Sequence, residues 1–216
     1  MPNIKQNQKI IIGLTGNIAS GKTAAEKIFQ SHNIPIINAD NIVKQLLQPG
    51  STCYQKIYDY FTKHPKYKSN TQTLDKAQIK QIIFNNKSDK QFLENTLHPK
   101  VREILEEFAN NFINSFRNNP QKTAKFCILS IPLLYDKKQY PYIDKIIYID
   151  ISKDNQIKRL KNRDNIDEKL ALKIIDSQLS TKQRLELENM HFDFVINNNS
   201  DISSLKNQIN NIINNI

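Results

Sequence analysis

Gly16-Asn17-Ile18-Ala19-Ser20-Gly21-Lys22-Thr23 fits the pattern G-x-x-x-x-G-K-[ST], which describes a phosphate cradle. Gly13, Gly16 and Gly21 are three of only four glycines in the chain. Glycine lets backbone N–H groups come close to a ligand, so its concentration here implies a loop wrapped around one. N–H groups of such a loop and of a helix start attract phosphate oxygens. In this reading Lys22 meets the β- and γ-phosphates of a nucleoside triphosphate, and the Thr23 hydroxyl ligates Mg2+.

Two further clusters suit phosphoryl transfer. Asp40 follows a predicted strand by two residues, at the carboxyl edge where open α/β sheets bind ligands. A carboxylate there can accept a proton from an acceptor hydroxyl and hold a metal-bound water; the competing reading is a cap for the helix that follows. Residues 154–164, "DNQIKRLKNRD", put Arg159 and Arg163 one helical turn apart. Two such arginines can clamp a triphosphate as a lid, and the competing reading is a solvated helix face.

The elements that must position these residues follow from hydrophobic patterning. Continuous apolar runs predict strands at 9–15, 34–38, 125–131, 145–151 and 192–197, with helices between them. A helix is expected over residues 22–31, directly after the glycine loop. Alternation of strand and helix implies a parallel sheet in an α/β fold. Between the second and third strands lies a stretch of different character. "SDKQ" at 88–91 has the form of a capping box, and Pro99 suits the first position of a helix whose Val101, Ile104, Leu105, Phe108 and Phe112 share a face. The expected organisation is one domain of three parts. These are a core (about 1–52, 121–153 and 190–216), a helical insertion (about 53–120) and a helical lid (about 154–189). Ile202, Leu205, Ile209, Ile212 and Ile213 predict an amphipathic last helix.

Other nucleotide-binding classes fit less well. A GTPase switch needs Asp three residues before a glycine, and no glycine here has one. "NKSD" at 86–89 imitates a guanine-reading motif but falls between two helices of the insertion, away from any strand end. The chain has 216 residues, a formal net charge of +10 and two widely separated cysteines, Cys53 and Cys127. Its pI is about 9.5 and its mean hydropathy −0.58. No apolar run reaches membrane-spanning length and the start lacks the pattern of a leader peptide, so a cytoplasmic protein is expected. The lysines are dispersed rather than gathered with aromatics, which argues against a nucleic-acid partner.

Together these features resemble dephospho-coenzyme A kinases along nearly the whole chain. The resemblance rests on the glycine loop, "INADNIVKQLLQPG" after the second strand and Leu97-His98-Pro99 in the insertion. Pro132-Leu133-Leu134, the Gln156-x-x-Arg159-Leu160-x-x-Arg163 run, Gln178 and Val195 to Asn198 complete it. It implies a three-layer α/β/α fold around a five-stranded parallel sheet, with a helical substrate-binding insertion and a lid. It also implies ATP-dependent phosphorylation of the ribose 3′-hydroxyl of dephospho-CoA, the last step of coenzyme A synthesis, with ATP and Mg2+ and a monomer acting on small molecules. A nucleoside monophosphate kinase is the alternative. On this resemblance Asp40 is the base and Arg159 joins Lys22 in catalysis. Gly16 to Ala24, Arg163 and Asn198 bind the nucleotide, and Asp40, His98 and Leu133 face the acceptor. His98 has a second reading, as the residue that locks a helix start. Asn38 departs from the pattern where an aspartate is usual, Ala19 where a glycine is frequent, Asp136 where glutamate is common and Ser200 where glycine is common.

Overall fold

Strand β1 (Ile10–Gly16) lies at the centre of a parallel five-stranded sheet of order β2-β3-β1-β4-β5. The others are β2 (Ile36–Asn38), β3 (Phe126–Ser130), β4 (Lys145–Asp150) and β5 (Phe194–Asn197). The computed structural model describes residues 9–68, 73–118, 124–134, 137–178 and 189–216. Asp136 and residues 179–188 of the expected lid lie outside the described residues.

β1 pairs with β3 through Leu14 and Ser130 and with β4 through Gly16 and Ile149. From β1 the chain leaves toward β2, and from β3 it turns the other way toward β4. The carboxyl ends of β1 and β3 therefore form the switch point at which an open α/β sheet binds ligands. One face of the sheet is covered by α1 (Lys22–Ser31) and the last helix, α8 (Ile202–Asn215). Ile12, Leu14, Phe126, Ile128, Ile147, Ile149 and Ile196 meet Phe29, Leu205 and Ile209 there, all of them buried.

Four of the strands are shorter than the patterning predicts, and β1 starts one residue later. Pro35 has no N–H to give a ladder, so β2 begins at Ile36; the Ile34 amide instead bonds the Phe29 carbonyl at the end of α1. β1 runs one residue further than expected, to Gly16.

The described residues divide into two compact units. The first holds the sheet, with residues through Asn38 and from Phe108 onward; the second is Ala39–Glu107. The second contains α2 (Ala39–Leu46), α3 (Thr52–Phe61), α4 (Lys76–Asn85) and most of α5 (Lys87–Asn118). Within it Tyr60 stacks on Phe92 with ring centroids 3.7 Å apart. The Tyr60 hydroxyl donates to buried Asp89 at 2.7 Å, and that bond, then burial, raises the phenol above its usual pKa.

Two expectations for this unit need correction. Pro99 does not start a helix; it sits inside the 32-residue α5. Val101, Leu105, Ala109 and Phe112 continue the buried stripe begun by Leu97, and the helix proceeds through the one hydrogen bond that proline cannot donate. Ser88 is not the cap either. Asn86 Oδ1 accepts the Ser88 amide at 3.0 Å and so caps α5 two residues earlier. Asn86 and Asp89 of "NKSD" are thus used in starting and anchoring a helix.

Thr15 ties the sheet to the turn after β3. Its Oγ1, fully buried, accepts the Leu134 amide at 3.0 Å. Thr15→Val would leave that amide without a partner and cost about 1–3 kcal/mol. A drop of several degrees in the thermal midpoint by calorimetry is expected, and an unchanged midpoint would remove this role.

Candidate active site

The glycine loop runs from the end of β1 to the start of α1. Gly21 is the residue before α1, with φ 95° and ψ 20°, and it offers no side chain to cap the helix. A Cβ there would stand 2.1 Å from Asn198 Nδ2. At Gly16 a Cβ would stand 2.6 Å from Ser20 Oγ and 2.8 Å from the Ile149 carbonyl oxygen. Sterics thus demand glycine at both ends of the loop. Ala19, between them, takes φ 60° despite its Cβ.

Side chains from distant elements hold the loop from outside. The Ser20 carbonyl accepts Asn198 Nδ2 at 2.6 Å and an Arg159 guanidinium nitrogen at 3.3 Å. A second nitrogen of Arg159 donates to the Asn198 carbonyl at 2.8 Å. Gln156 Nε2 donates to the Ile18 carbonyl at 2.8 Å, while the Ile18 amide donates to Gln178 Oε1 at 3.0 Å. In a planar trans peptide, C=O and N–H point opposite ways. Tethering the carbonyls of Ile18 and Ser20 outward therefore turns the N–H groups of Ala19 and Gly21 the other way, as an anion cradle needs.

These partners are delivered by α6 (Lys153–Asp164) and α7 (Glu168–Ser177). α6 starts three residues after β4, capped by Ser152, so its first two turns lie at the carboxyl edge of the sheet with Gln156 and Arg159 three residues apart. Gln178 follows α7 directly. Asn198 follows β5, and its amide bonds the Asp150 carbonyl at 2.9 Å.

Lys22 opens α1, and its Nζ lies 2.9 Å from Ser130 Oγ and 3.3 Å from Glu26 Oε1. Glu26 Oε1 also accepts Asn38 Nδ2 at 2.8 Å and the Ser130 hydroxyl. Sequence reasoning missed both Glu26 and Ser130. The available signal was a lysine and a glutamate at i, i+4 on a helix whose Ala25 and Phe29 are core residues.

The other expected residues fall as follows. Thr23 is exposed in the first turn of α1 and Ala24 is half-buried. Arg163 pairs with neighbouring Asp164 through two bonds of 2.8 Å, on a side chain 55% exposed, and is not at the loop with Arg159. Leu133 adopts φ 57° in the turn after β3. That left-handed conformation costs a leucine roughly 1–2 kcal/mol. Asp40 occupies the first turn of α2, two residues past the end of β2, and belongs to the second unit. His98 lies in the same unit, eleven residues inside α5, so it does not lock a helix start.

Comparison with known proteins fits this geometry. A family model described as dephospho-CoA kinase matches residues 10–204. The chain belongs to the dephospho-CoA kinase family. A dephospho-CoA kinase of Legionella pneumophila (strain Paris) is 37% identical over 199 residues, covering 92% of this chain and 91% of the relative. A solved dephospho-CoA kinase from Campylobacter jejuni superposes with a TM-score of 0.61 at 27% identity, over 96% of each chain. The Thermus thermophilus protein TT1252 shares the fold, with a TM-score of 0.70 at 18% identity over 97% of this chain and 98% of that one.

Phosphoryl transfer from a nucleoside triphosphate is commonly assisted by a divalent ion, and the residues here fit one. Among the described residues no three His, Cys, Asp or Glu side chains gather into an all-protein metal cage. Mg2+ seldom has such a cage, because phosphate and water oxygens fill most of its octahedron. The exposed Thr23 hydroxyl is a single oxygen donor of the kind it takes.

The two unusual loop backbones make opposite forecasts. Gly21→Ala meets both the positive φ and the Asn198 amide, so a loss of about 2 kcal/mol or more and of measurable ATP binding by calorimetry is expected. Ala19→Gly relieves a left-handed alanine and should gain roughly 0.5 kcal/mol in denaturant titrations. A destabilised Ala19→Gly would contradict the strain.

Proposed function

We propose that the chain transfers the γ-phosphoryl group of ATP to the ribose 3′-hydroxyl of dephospho-CoA, giving coenzyme A and ADP. Membership of the dephospho-CoA kinase family supports this. The structural observation that carries it is the loop at residues 16–23, with its Ser20 carbonyl held outward by Arg159 and Asn198. A nucleoside monophosphate kinase is not favoured by the relatives, which are dephospho-CoA kinases.

In this reading the loop amides and Lys22 bind the β- and γ-phosphates. Mg2+, held by Thr23 and through water by Asp40, would neutralise charge on the phosphate oxygens. Asp40 takes the proton of the 3′-hydroxyl. The freed oxygen bonds to the γ-phosphorus as the bond to the β-phosphate bridging oxygen breaks, and the electron pair leaves with ADP. Arg159 stabilises the charge that develops. His98 and Leu133 belong to the acceptor side. Both described cysteines, Cys53 and Cys127, are free and buried. Their free state suits a reducing cytoplasm, and burial pushes the Cys127 thiol up to about 12, so it packs rather than reacts.

The test is turnover with MgATP and, separately, dephospho-CoA, AMP and a set of nucleosides, with products identified by mass. Coenzyme A formed from dephospho-CoA alone is the expected result. Asp40→Asn should lower kcat by about 10²–10⁴-fold, the usual contribution of a general base. Phosphorylation of AMP in preference would overturn the acceptor, and a fully active Asp40→Asn would overturn the base.

A further inference from the structure

Glu26 is the one acid of α1, and its side chain is 10% exposed. A carboxylate so deeply buried must be paired and hydrogen-bonded to be tolerated. One oxygen, Oε1, accepts three donors from three elements. They are Lys22 in α1, Asn38 at the end of β2 and Ser130 at the end of β3. Ser130 also accepts from Lys22 Nζ, so the lysine is held at two points, with its own side chain only 12% exposed.

We propose that Glu26 is a positioning residue for the phosphate-binding lysine, and that Glu26 and Asn38 form an acid–amide pair in which Glu26 supplies the charge. The inference rests on the phosphate-cradle reading of the loop. Glu26 holds Lys22 Nζ beside Ser130 until phosphate oxygens draw it away. The carboxylate then keeps the bonds from Asn38 and Ser130, so it is not left bare when the lysine moves. It also competes with phosphate for that lysine.

The amide of Asn38 and the acid of Glu26 form a pair that can be reversed. Aspartate at 38 with glutamine at 26 keeps one charge and one amide-to-carboxylate bond. Asn38 is the residue that departs from the family pattern by lacking an acid, and Glu26 puts one within 2.8 Å of its amide nitrogen. Two acids here would face each other across a hydrogen-bond distance; two amides would remove the acid that lies 3.3 Å from Lys22 Nζ.

A mutant cycle tests this with thermal midpoints and with binding of a fluorescent ATP analogue in EDTA, where no turnover occurs. Glu26→Gln should lower the midpoint yet bind the analogue at least about threefold more tightly, since the competing anion is gone. A merely structural loss would not tighten binding. Asn38→Asp should lower the midpoint by about 5 °C and weaken binding at least about threefold. The double variant Glu26→Gln/Asn38→Asp should return to within about twofold of the unaltered affinity and recover most of the midpoint. Additive effects in the double variant, or unchanged or weakened binding by Glu26→Gln, would overturn the proposal. Failure of the unaltered protein to phosphorylate dephospho-CoA, with the cycle intact, would discard the acceptor and leave this pair standing.

Discussion

One peptide group, between Ser20 and Gly21, governs the carboxyl edge of this sheet. Its carbonyl is drawn outward by Asn198 and Arg159, and its N–H must then face the other way. Gly21 is the only residue type that tolerates both the resulting φ of 95° and the approach of the asparagine amide. From that constraint follow the entry into α1 and the position of Lys22 at its first residue. The second anchor, Glu26, lies one turn along the same helix and reaches the ends of β2 and β3. The loop is therefore held from above by uncharged amides and a guanidinium, and from below by a carboxylate.

Arginine suits its place here for a reason that lysine would not meet. The planar fork of Arg159 donates from two nitrogens to two carbonyls, of Ser20 and Asn198, and stays charged while doing so. The two glutamines on Ile18 are similarly specific. Gln156 presents its NH2 group to a carbonyl and Gln178 its oxygen to an amide. Each side chain uses one half of its amide, so the pair grips both polar groups of a single residue.

Much of this was legible from residue types. The five strands, their parallel arrangement, α1 from Lys22 to Ser31 and the last helix all follow from apolar periodicity, because each buries a continuous stripe. The phosphate cradle was legible because its glycine spacing answers a steric need. What escaped was decided by tertiary contact. Pro99 reads locally as a helix start, yet a buried stripe on both sides of it carries α5 through. Ser88 reads as a cap, yet Asn86 does that work. Arg159 and Arg163 have the same local spacing and charge, but Asp164 lies next to the second and takes it up. Nothing local in the sequence places Asn38 and Ser130 at Glu26; the ends of β2 and β3 bring them there.

The sequence separation of the loop's supports has a consequence for how the molecule assembles. Residues 16–23 leave the ribosome early, but Gln156, Arg159, Gln178 and Asn198 follow 138 to 178 positions behind the groups they bind. Contacts of such range close large loops and form late. α1 and the first strand can pair with nothing but local neighbours until β3 arrives, because the nearest partners of β1 in the sheet are β3 and β4. The cradle is thus among the last features to mature in a nascent chain, and a truncation shortly before Asn198 would leave its motif intact in sequence and unformed in space.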